Sequence, residues 1–405
     1  MSKSKTIAWT VWMIASIFYA YQYILRVMPN VMLDDIMQQF HMDAALFGQY
    51  AGVYYIGYVL MHLPIGIMLD RYGPRKVMSG CILLTVAGML PIIMSDNWVF
   101  PIIGRVLIGI GSSAAILGVF KIIRMTFAEE RFTRMLSISV TIGLIGAIYG
   151  GGPVDNMCTS LGYQAVIKIF SVVGIVLAAV TYMLVPEIES TSQKSVVADV
   201  KTVFTNSRVI FTCLCAGLMV GPLEGFADVW GKSFLKLVYG MEESGASYLT
   251  SMIFTGMCFG APVLGLIAEK TGRYLGSIIG AGILMFATFA ALVAGFMTEA
   301  SIFVSFVIVG VCCAYQILAI YKASTYVPEH VAGLTTAVAN MIIMSFGYAL
   351  HTSIGFVINA FGGAHDAQAF VYGVTIIPIT LAAGIIGFGV IAYKDAQLKG
   401  AKNAV

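Results

Sequence analysis

One arginine stands deep inside an apolar run, where a charge is costly and therefore suggests chemistry. Arg26 follows about 19 uncharged residues. Tyr19 and Tyr23 precede it at helical spacing, so that two phenols and a guanidinium share one helix face. This group suits a carboxylate or a phosphate, which a guanidinium binds through paired hydrogen bonds. We expect Arg26 and Tyr23 to contact a solute; the alternative is that Arg26 reaches the polar end of its helix.

Two acidic residues, Glu224 and Asp228, lie one helical turn apart in a later apolar run. Gly221 and Pro222 come just before them and should break or bend the helix, which frees backbone groups to bind an ammonium group or a proton. Two nearby carboxylates repel each other when both are ionised. Both are therefore candidates for solute binding and proton carriage, Glu224 first. The alternative is a salt bridge from either acid to one of the two lysines that follow.

Four further polar residues could line a pocket. Tyr54 and Tyr58 share a helix face, and this pair either lines a cavity or only packs. His351 and Asn340 lie about three turns apart in a late apolar run. A histidine in such a run can bind a solute or serve as a hydrogen-bonded structural residue.

Three other side chains have two interpretations each. Lys121 and Lys322 lie near the ends of equivalent apolar runs. They either extend to the polar end of the helix or attract solute at the mouth of a cavity. Trp230 is either an anchor at the membrane interface or a lid over the pocket.

Membrane-spanning helices must carry these residues. Of 405 residues, 59% are hydrophobic and 11% are charged, compared with about 25% charged in soluble domains. A soluble fold cannot cover that much apolar surface, whereas a bilayer solvates it and requires backbone polar groups to pair internally. We predict an all-α integral membrane protein with twelve spans, at roughly 7–34, 44–69, 77–95, 98–127, 134–158, 163–185, 207–237, 244–269, 274–297, 299–326, 331–360 and 367–393.

The loops between the predicted spans separate by charge. One set, which we call the basic face, carries Lys3, Lys5, Arg71, Arg75, Lys76, Arg124, Arg131, Arg134, Lys194, Lys201, Arg208, Lys270, Arg273, Lys394, Lys399 and Lys402. The other set, the acidic face, carries Asp34, Asp35, Asp43, Asp96, Asp155, Glu242, Glu243 and Glu299. An excess of Lys and Arg marks cytoplasmic loops. We therefore expect both termini in the cytoplasm and the chain in a bacterial inner membrane.

Composition also limits the partners. The net charge of +3 does not indicate a nucleic-acid partner, because the basic residues stand at helix ends. The seven cysteines show no metal-binding spacing. We expect no metal or other cofactor, a lipid bilayer around a monomer, and a small-molecule substrate.

A polar stretch divides the chain into two parts of six spans each. It runs from Pro186 to Asn206. We predict an N-terminal bundle at 1–186, a cytoplasmic linker at 187–206 and a C-terminal bundle at 207–405.

An internal repeat supports this division. The pattern Gly66-x-x-x-Asp70-Arg71-x-Gly73 recurs 199 residues later as Gly265-x-x-x-Glu269-Lys270-x-Gly272. In the fourth and tenth spans, Gly109 matches Gly310 at an offset of 201. Two matches at nearly one offset predict pseudo-symmetric halves related by an axis along the membrane normal.

These motifs also resemble those of a known family. The turn from Gly66 to Lys76 is similar to the pattern G-x-x-x-D-R-x-G-R-R/K, with Pro74 in place of the usual basic residue, and the stretch from Gly104 to Gly111 resembles R-x-x-x-G-x-G. Both patterns belong to the major facilitator superfamily. The resemblance implies alternating access, a coupling role for Arg105 in proton movement, and a cytoplasmic gate formed by Gly66, Asp70, Arg71, Gly73, Arg75, Glu269 and Lys270.

Shorter matches point to one branch of that family. The stretches Tyr21–Pro29, Asp228–Leu235 and Asn340–Met341 resemble a branch found in intracellular bacteria. That branch includes phagosomal transporters of amino acids and nucleosides, which implies a substrate of one of these classes.

Together these features predict a secondary active transporter that takes up a small carboxylate-bearing solute, such as an amino acid or organic anion, with a proton. Arg26 would hold the carboxylate, and Glu224 or Asp228 the amine or the proton. One alternative is proton-driven efflux of small molecules or drugs, which the Gly/Pro run from Gly150 to Pro153 favours. Another is a transporter-like nutrient sensor. We do not expect an enzyme, since no nucleotide loop, H-E-x-x-H or nucleophile elbow is present.

Overall fold

Every regular element in the described part of the chain, residues 3–187 and 196–403 of a computed structural model, is helical. Residues 3–186, called the first half, contain α1 (Lys3–Val31), α2 (Leu33–Phe40), α3 (Ala44–Met89), α4 (Pro91–Met94), α5 (Val99–Thr126), a 3₁₀ turn (Glu129–Arg131), α6 (Phe132–Gly150), α7 (Gly152–Leu161) and α8 (Tyr163–Leu184). After α9 (Val196–Thr205), the second half, residues 207–403, contains α10 (Ser207–Leu218), a π-helical segment (Gly221–Trp230), α11 (Gly231–Tyr239), α12 (Glu243–Thr271), α13 (Tyr274–Val293), α14 (Glu299–Cys313), α15 (Tyr315–Ser324), α16 (Glu329–Ala360) and α17 (Ala367–Asn403).

Ten helical stretches among the described residues are long and apolar enough to cross a membrane, and one bent pair makes an eleventh. One of the ten, Ala44–Met94, has 51 residues. A helix of that length would measure about 77 Å, more than twice the hydrocarbon thickness of about 30 Å. The membrane-helical fold is confirmed. The predicted count of twelve follows only when this stretch is counted as two crossings.

The bent pair is the seventh span. Its two parts, Ser207–Leu218 and Gly221–Tyr239, meet at an angle of 41°. The sequence predicted a break at Gly221 and Pro222, and the structure confirms it. The wide turns that follow carry Glu224 and Asp228; π-helical turns of this kind often occur at functional sites.

The repeated motif places a glycine with a positive φ at a helix break in each half. Gly73 interrupts α3 with φ 77° and ψ 161°, and Gly272 caps α12 with φ 64° and ψ 9°. Residues with a Cβ rarely adopt a positive φ. Both positions therefore favour glycine, although the two backbone conformations differ in ψ.

A second match lies at helix crossings. In each half, two glycines press against backbone carbonyls of the neighbouring helix, so that a Cβ would overlap the carbonyl oxygen. The contacts are Gly57 on Val106 and Gly109 on Tyr54 in the first half, and Gly256 on Val307 and Gly310 on Ile253 in the second. Close approach of this kind needs small residues. The repeat seen in the sequence thus has a counterpart in the packing.

The helix pairs also correspond. In the first half α3 packs on α5 and α8, and α1 packs on α6. In the second half α12 packs on α14, α13 on α17, and α10 on α16. Contacts between the halves join α3 to α16, α6 to α12, and α1 to the π-helical segment. The pairing of helices agrees with two bundles. The boundaries of the bundles stay a prediction.

Part of the predicted linker forms a helix. Residues 188–195 lie outside the described part of the chain, whereas α9 is described. Val203 of α9 is fully buried in an apolar cluster with Val209, Val331 and Val338 of the second half. This end of the linker is therefore docked on the second half.

Candidate functional site

The charges that the sequence places within apolar runs meet between the two halves. Nε of Arg26, in α1, donates to Oδ2 of Asp228 at 2.7 Å, and the same guanidinium pairs with Glu224. The side chain of Arg26 is 7% exposed and each carboxylate 1%. The two alternatives, Arg26 at the polar end of its helix and the acids bonded to lysines, are wrong. Each buried charge instead has an opposite charge from the other half, which burial in a low-dielectric site requires.

Tyr55 of α3 completes this group, which we call the Arg26 cluster (Arg26, Tyr55, Glu224 and Asp228). Its Oη lies 2.5 Å from Oε2 of Glu224 and 2.5 Å from Oδ2 of Asp228. The sequence pattern favours Tyr54 and Tyr58 instead. A signal was present, because Gly48, Gly52 and Tyr55 share one helix face, and small residues mark the face that meets another helix.

That other helix is α16. Its Gly347 lies against the Tyr55 ring, and Gly355 lies against Gly48. Between them, the ring of His351 lies against that of Tyr55, with the ring centres 5.5 Å apart and the planes tilted by 36°. Neither nitrogen of His351 has a hydrogen-bond partner among the described residues. The structure thus brings His351 to the cluster, and its role in binding a solute stays a prediction.

Tyrosines surround the guanidinium of Arg26. Its Cζ lies 5.2 Å from the centre of the Tyr23 ring and 5.3 Å from that of Tyr55, close enough for cation–π attraction. Tyr54 donates to Oε1 of Gln22 at 2.8 Å and stacks on Tyr58. The predicted Tyr23, Tyr54 and Tyr58 therefore form one aromatic wall. The predicted Asn340 lies beside the hydroxyl of Tyr58.

Arg105 donates hydrogen bonds to the backbone of α1 rather than to the acids. Its guanidinium donates to the carbonyl of Leu25 at 2.6 Å and to that of Arg26 at 2.8 Å. Pro29 lies inside α1, and because proline has no amide hydrogen, the Leu25 carbonyl one turn earlier lacks its helical donor. Arg105 supplies that donor and so fixes the backbone at Arg26.

Trp230 does not reach the lipid. Its side chain is fully buried, between the rings of Phe47 and Phe370. The interface-anchor alternative is therefore wrong, and the lid over the pocket stays a prediction. The indole packs between the halves on the acidic-face side of the cluster.

A second buried ion pair crosses between the halves nearer the acidic face. Nζ of Lys232 lies 2.6 Å from Oδ1 of Asp155 and 2.7 Å from Oε1 of Glu243. The Lys232 backbone amide also donates to Oδ1 of Asn30 at 3.3 Å. We call Asp155, Lys232 and Glu243 the acidic-face latch, because Asp155 belongs to the first half and the other two to the second.

The latch borders a cavity of about 320 Å³. Asp34, Asp35, Cys158 and Lys236 also line it. Partial burial and the neighbouring Asp34 carboxylate raise the pKa of Asp35. The cavity is therefore a predominantly acidic vestibule.

The structure does not bring Lys121 and Lys322 to the Arg26 cluster. Lys121 bonds to Asp70 at 2.7 Å within the first half, and Lys322 bonds to Asp395 at 2.8 Å within the second. Both ion pairs lie at the basic face. A direct role in holding a solute at Arg26 is not supported for either lysine in this conformation.

The predicted gate residues also lie at the basic face. Arg75 stacks on Tyr182 at 4.4 Å, and Glu187 pairs with Lys76. The Lys76 ammonium holds the pKa of Glu187 below its usual range. Gly66, Arg71 and Gly73 belong to the same turn, and Glu269 and Lys270 end α12. In this conformation the described ion pairs of the gate turn join it to the first half and to Glu187.

Apolar helices in two matched sets, with buried charges between them, define a polytopic membrane transporter. A family model confirms this assignment: the chain matches the Major Facilitator Superfamily over residues 12–352. The chain belongs to this family, and the resemblance seen in the sequence is confirmed. It is accordingly a transporter by family.

Two curated relatives match more distantly. The agnestins efflux protein AgnL12 of Paecilomyces divaricatus is 24% identical over 238 residues, which cover 58% of this chain and 53% of that protein. The nitrite extrusion protein of Bacillus subtilis strain 168 is 20% identical over 220 residues, covering 52% and 53%. The chain thus spans about half the length of the curated relatives it matches.

Solved structures match over nearly the whole chain. A bacterial homologue of the human lysosomal transporter Spinster, in an inward-facing and occupied conformation, has a TM-score of 0.77 at 17% identity and covers 95% of this chain and 96% of its own. The D323A mutant of the nucleoside transporter NupG has a TM-score of 0.76 at 14% identity, covering 94% and 99%. At such identities the likeness shows the fold alone.

Proposed function

We propose that this protein is a secondary active transporter that takes up a small carboxylate-bearing solute together with a proton. The observation that carries the proposal is the Arg26 cluster. It joins a guanidinium of the first half to two carboxylates of the second, in a buried site walled by tyrosines. A solute that touches both halves can stabilise one conformation over another, as alternating access requires.

A zwitterion such as an amino acid fits this arrangement by exchange of partners. Its carboxylate would replace the acids on Arg26, and its ammonium would replace Arg26 on Glu224 or Asp228. If the other acid carries a proton, every charge then has an opposite partner. The exchange starts from the pairs of Arg26 with Glu224 and Asp228.

A proton would enter through the same acids. In direct contact, one guanidinium faces two carboxylates. A proton on one acid would balance these three groups. Coupling to a proton gradient then follows, because the acids release that proton when the cluster separates.

The orientation follows from the loop charges. We propose that the basic face is cytoplasmic, with both termini there, in a bacterial inner membrane and as a monomer. The acidic-face latch would then seal the periplasmic side in this conformation.

Uptake by proteoliposomes tests the proposal. Amino acids, nucleosides and organic acids are first screened by thermal shift on the purified protein, and the best ligand is then used under an imposed pH gradient. Uptake should require the gradient and fall at least about a hundredfold in Arg26→Ala, in line with loss of a buried charge pair. Lys168→Ala, which removes an exposed basic residue of α8, serves as the control. Equal uptake with and without the gradient would remove the proton from the proposal.

Export is the second candidate. The two curated relatives are named for efflux and extrusion, and a small anion such as nitrite could also bind Arg26. Everted membrane vesicles distinguish export from uptake. If added solute causes protons to leave the lumen, the protein is an antiporter. If solute and protons enter the lumen together, it is a symporter. Antiport would replace the uptake proposal with export.

A further inference from the structure

The phenol of Tyr55 has one hydrogen and two acidic neighbours. Its Oη lies 2.5 Å from Oε2 of Glu224 and 2.5 Å from Oδ2 of Asp228. Two oxygens this close need a hydrogen between them, because lone pairs that face each other repel. The phenol supplies one hydrogen. The second must come from one of the carboxyl groups.

No other neighbour can supply that hydrogen. Arg26 already bonds to both acids, and the guanidinium of Arg105 donates to backbone carbonyls instead. The remaining titratable groups around the cluster are His351 of α16 and four tyrosines of α1 and α3: Tyr19, Tyr23, Tyr54 and Tyr58. Tyr54 donates to Gln22. Neither Tyr23 nor His351 has a hydrogen bond to either acid in the described part of the chain.

A second observation concerns Asp228. Its Oδ1 is buried and has no hydrogen-bond partner among the described residues. An ionised carboxylate with one bare buried oxygen is costly. Burial of this unpaired oxygen therefore favours the protonated form of Asp228, so that Asp228 can also carry the proton.

We infer that Tyr55, Glu224 and Asp228 together hold one transferable proton, and that Tyr55 passes it between the two acids. This deepens the proposed proton coupling and rests on it for its role in transport. When Glu224 carries the proton, its O–H donates to Tyr55 and Tyr55 donates to Asp228. Transfer breaks the O–H bonds of Glu224 and Tyr55 and forms new ones on Tyr55 and Asp228. The phenol stays neutral throughout.

The proton site exists only while the halves meet. Tyr55 belongs to α3 of the first half, whereas both acids belong to the π-helical segment of the second. Separation of the halves removes the bridging oxygen and leaves the acid O–H without its acceptor. The bound proton thus stabilises this conformation, and movement to the other conformation favours its release.

Infrared difference spectroscopy of the purified protein in lipid tests the inference without any solute. A protonated carboxyl shows a C=O band that shifts in D₂O, and subtraction of a variant's spectrum isolates the cluster. We expect one such band at neutral pH in the native chain. Both Glu224→Gln and Asp228→Asn should abolish it, because each leaves a single acid paired with Arg26. Tyr55→Phe should weaken proton binding about tenfold, so that the band disappears about one pH unit lower.

Tyr50→Phe is the matched control, since it removes another buried phenol of α3 outside the cluster. It should titrate like the native chain. A band that survives in Asp228→Asn would assign the proton to Glu224 alone and overturn the sharing. An unchanged titration in Tyr55→Phe would overturn the relay. If that variant does not fold, the two acid variants still decide whether the proton is shared between Glu224 and Asp228. Absence of pH-driven uptake would defeat the proposed function but leave this band in place.

Discussion

The two ends of the molecule hold their charges in opposite ways. Towards the acidic face, a buried ion pair joins the two halves: Lys232 with Asp155, whose side chains are 5% and 4% exposed. At the basic face, none of the described ion pairs joins the first half to the second, and these pairs reach water, as in Lys121 with Asp70, which are 22% and 62% exposed. The first kind fixes how the halves sit together. The second kind leaves the halves free to move at that end.

The energies differ accordingly. Removal of one partner from a buried ion pair costs about 3–5 kcal/mol, because the other charge stays buried without a partner. An exposed pair contributes about 0–1 kcal/mol. The conformation described here is therefore held mainly by the Arg26 cluster and the acidic-face latch.

The largest expected effect comes from Arg26→Ala. It leaves Glu224 and Asp228 buried without their cation, so we expect the melting temperature of the purified protein to fall by roughly 5 °C or more. Lys121→Ala, which removes an exposed pair within the first half, should change it by about 1 °C or less. An equal fall in melting temperature in the two variants would show that the buried and the exposed ion pairs contribute equally to stability.

Lys232→Met should open the acidic face. The change removes the charge of the latch, while methionine keeps a side chain of similar length. The conformation that exposes the vestibule should therefore become more populated. Cys158 lines the vestibule and reports on it: site-resolved maleimide labelling should become about tenfold faster, equal to about 1.4 kcal/mol of population shift. Lys322→Met breaks a pair within the second half and should leave the Cys158 rate unchanged. A rise in both variants would mean general loosening of the structure.

Asp70→Asn should lower the transport rate without lowering the stability of the folded protein. In this conformation Asp70 is 62% exposed in its pair with Lys121, and we expect the melting temperature to stay within about 2 °C of the native value. If the gate turn joins the halves when the basic face closes, the transport rate should still fall about tenfold, since a pair made only in the other conformation changes that equilibrium. A native rate of uptake would remove Asp70 from the gate.

The smallest effect concerns Asp35. Its pKa is raised in the folded state by burial and by Asp34, so its ionisation weakens folding above that pKa and has no effect below its unfolded value. Asp35→Asn should therefore raise the melting temperature by about 1 °C at pH 7 and by nothing at pH 3. Glu299→Gln, at another exposed position of the acidic face, is the control. An equal gain at pH 3 would exclude the electrostatic cause.

The sequence predicted well what depends on one helix at a time. Hydropathy indicated the spans, Gly221 and Pro222 indicated the bend, and the cost of a charge in lipid singled out Arg26, Glu224 and Asp228. Matching glycines indicated the repeat, because helix crossings of the same kind need the same small residues.

The sequence predicted less well what depends on which helices meet. Tyr54 and Tyr55 are adjacent and alike, and only the packing of α3 on α16 selects Tyr55. In the same way Lys232 was one of two possible partners for Glu224 and Asp228, whereas the fold directs it to Asp155. Spacing along a helix defines a face, but it does not say which neighbour covers that face.

The bond from Arg105 to the Leu25 carbonyl has a consequence for how the protein is made. A carbonyl without a donor is costly in the bilayer core, and Pro29 creates one in α1. Its donor is synthesised 80 residues later, in α5. Until α5 is made, the Leu25 carbonyl therefore needs another donor, such as water, and α1 reaches its final packing only after α5 joins it.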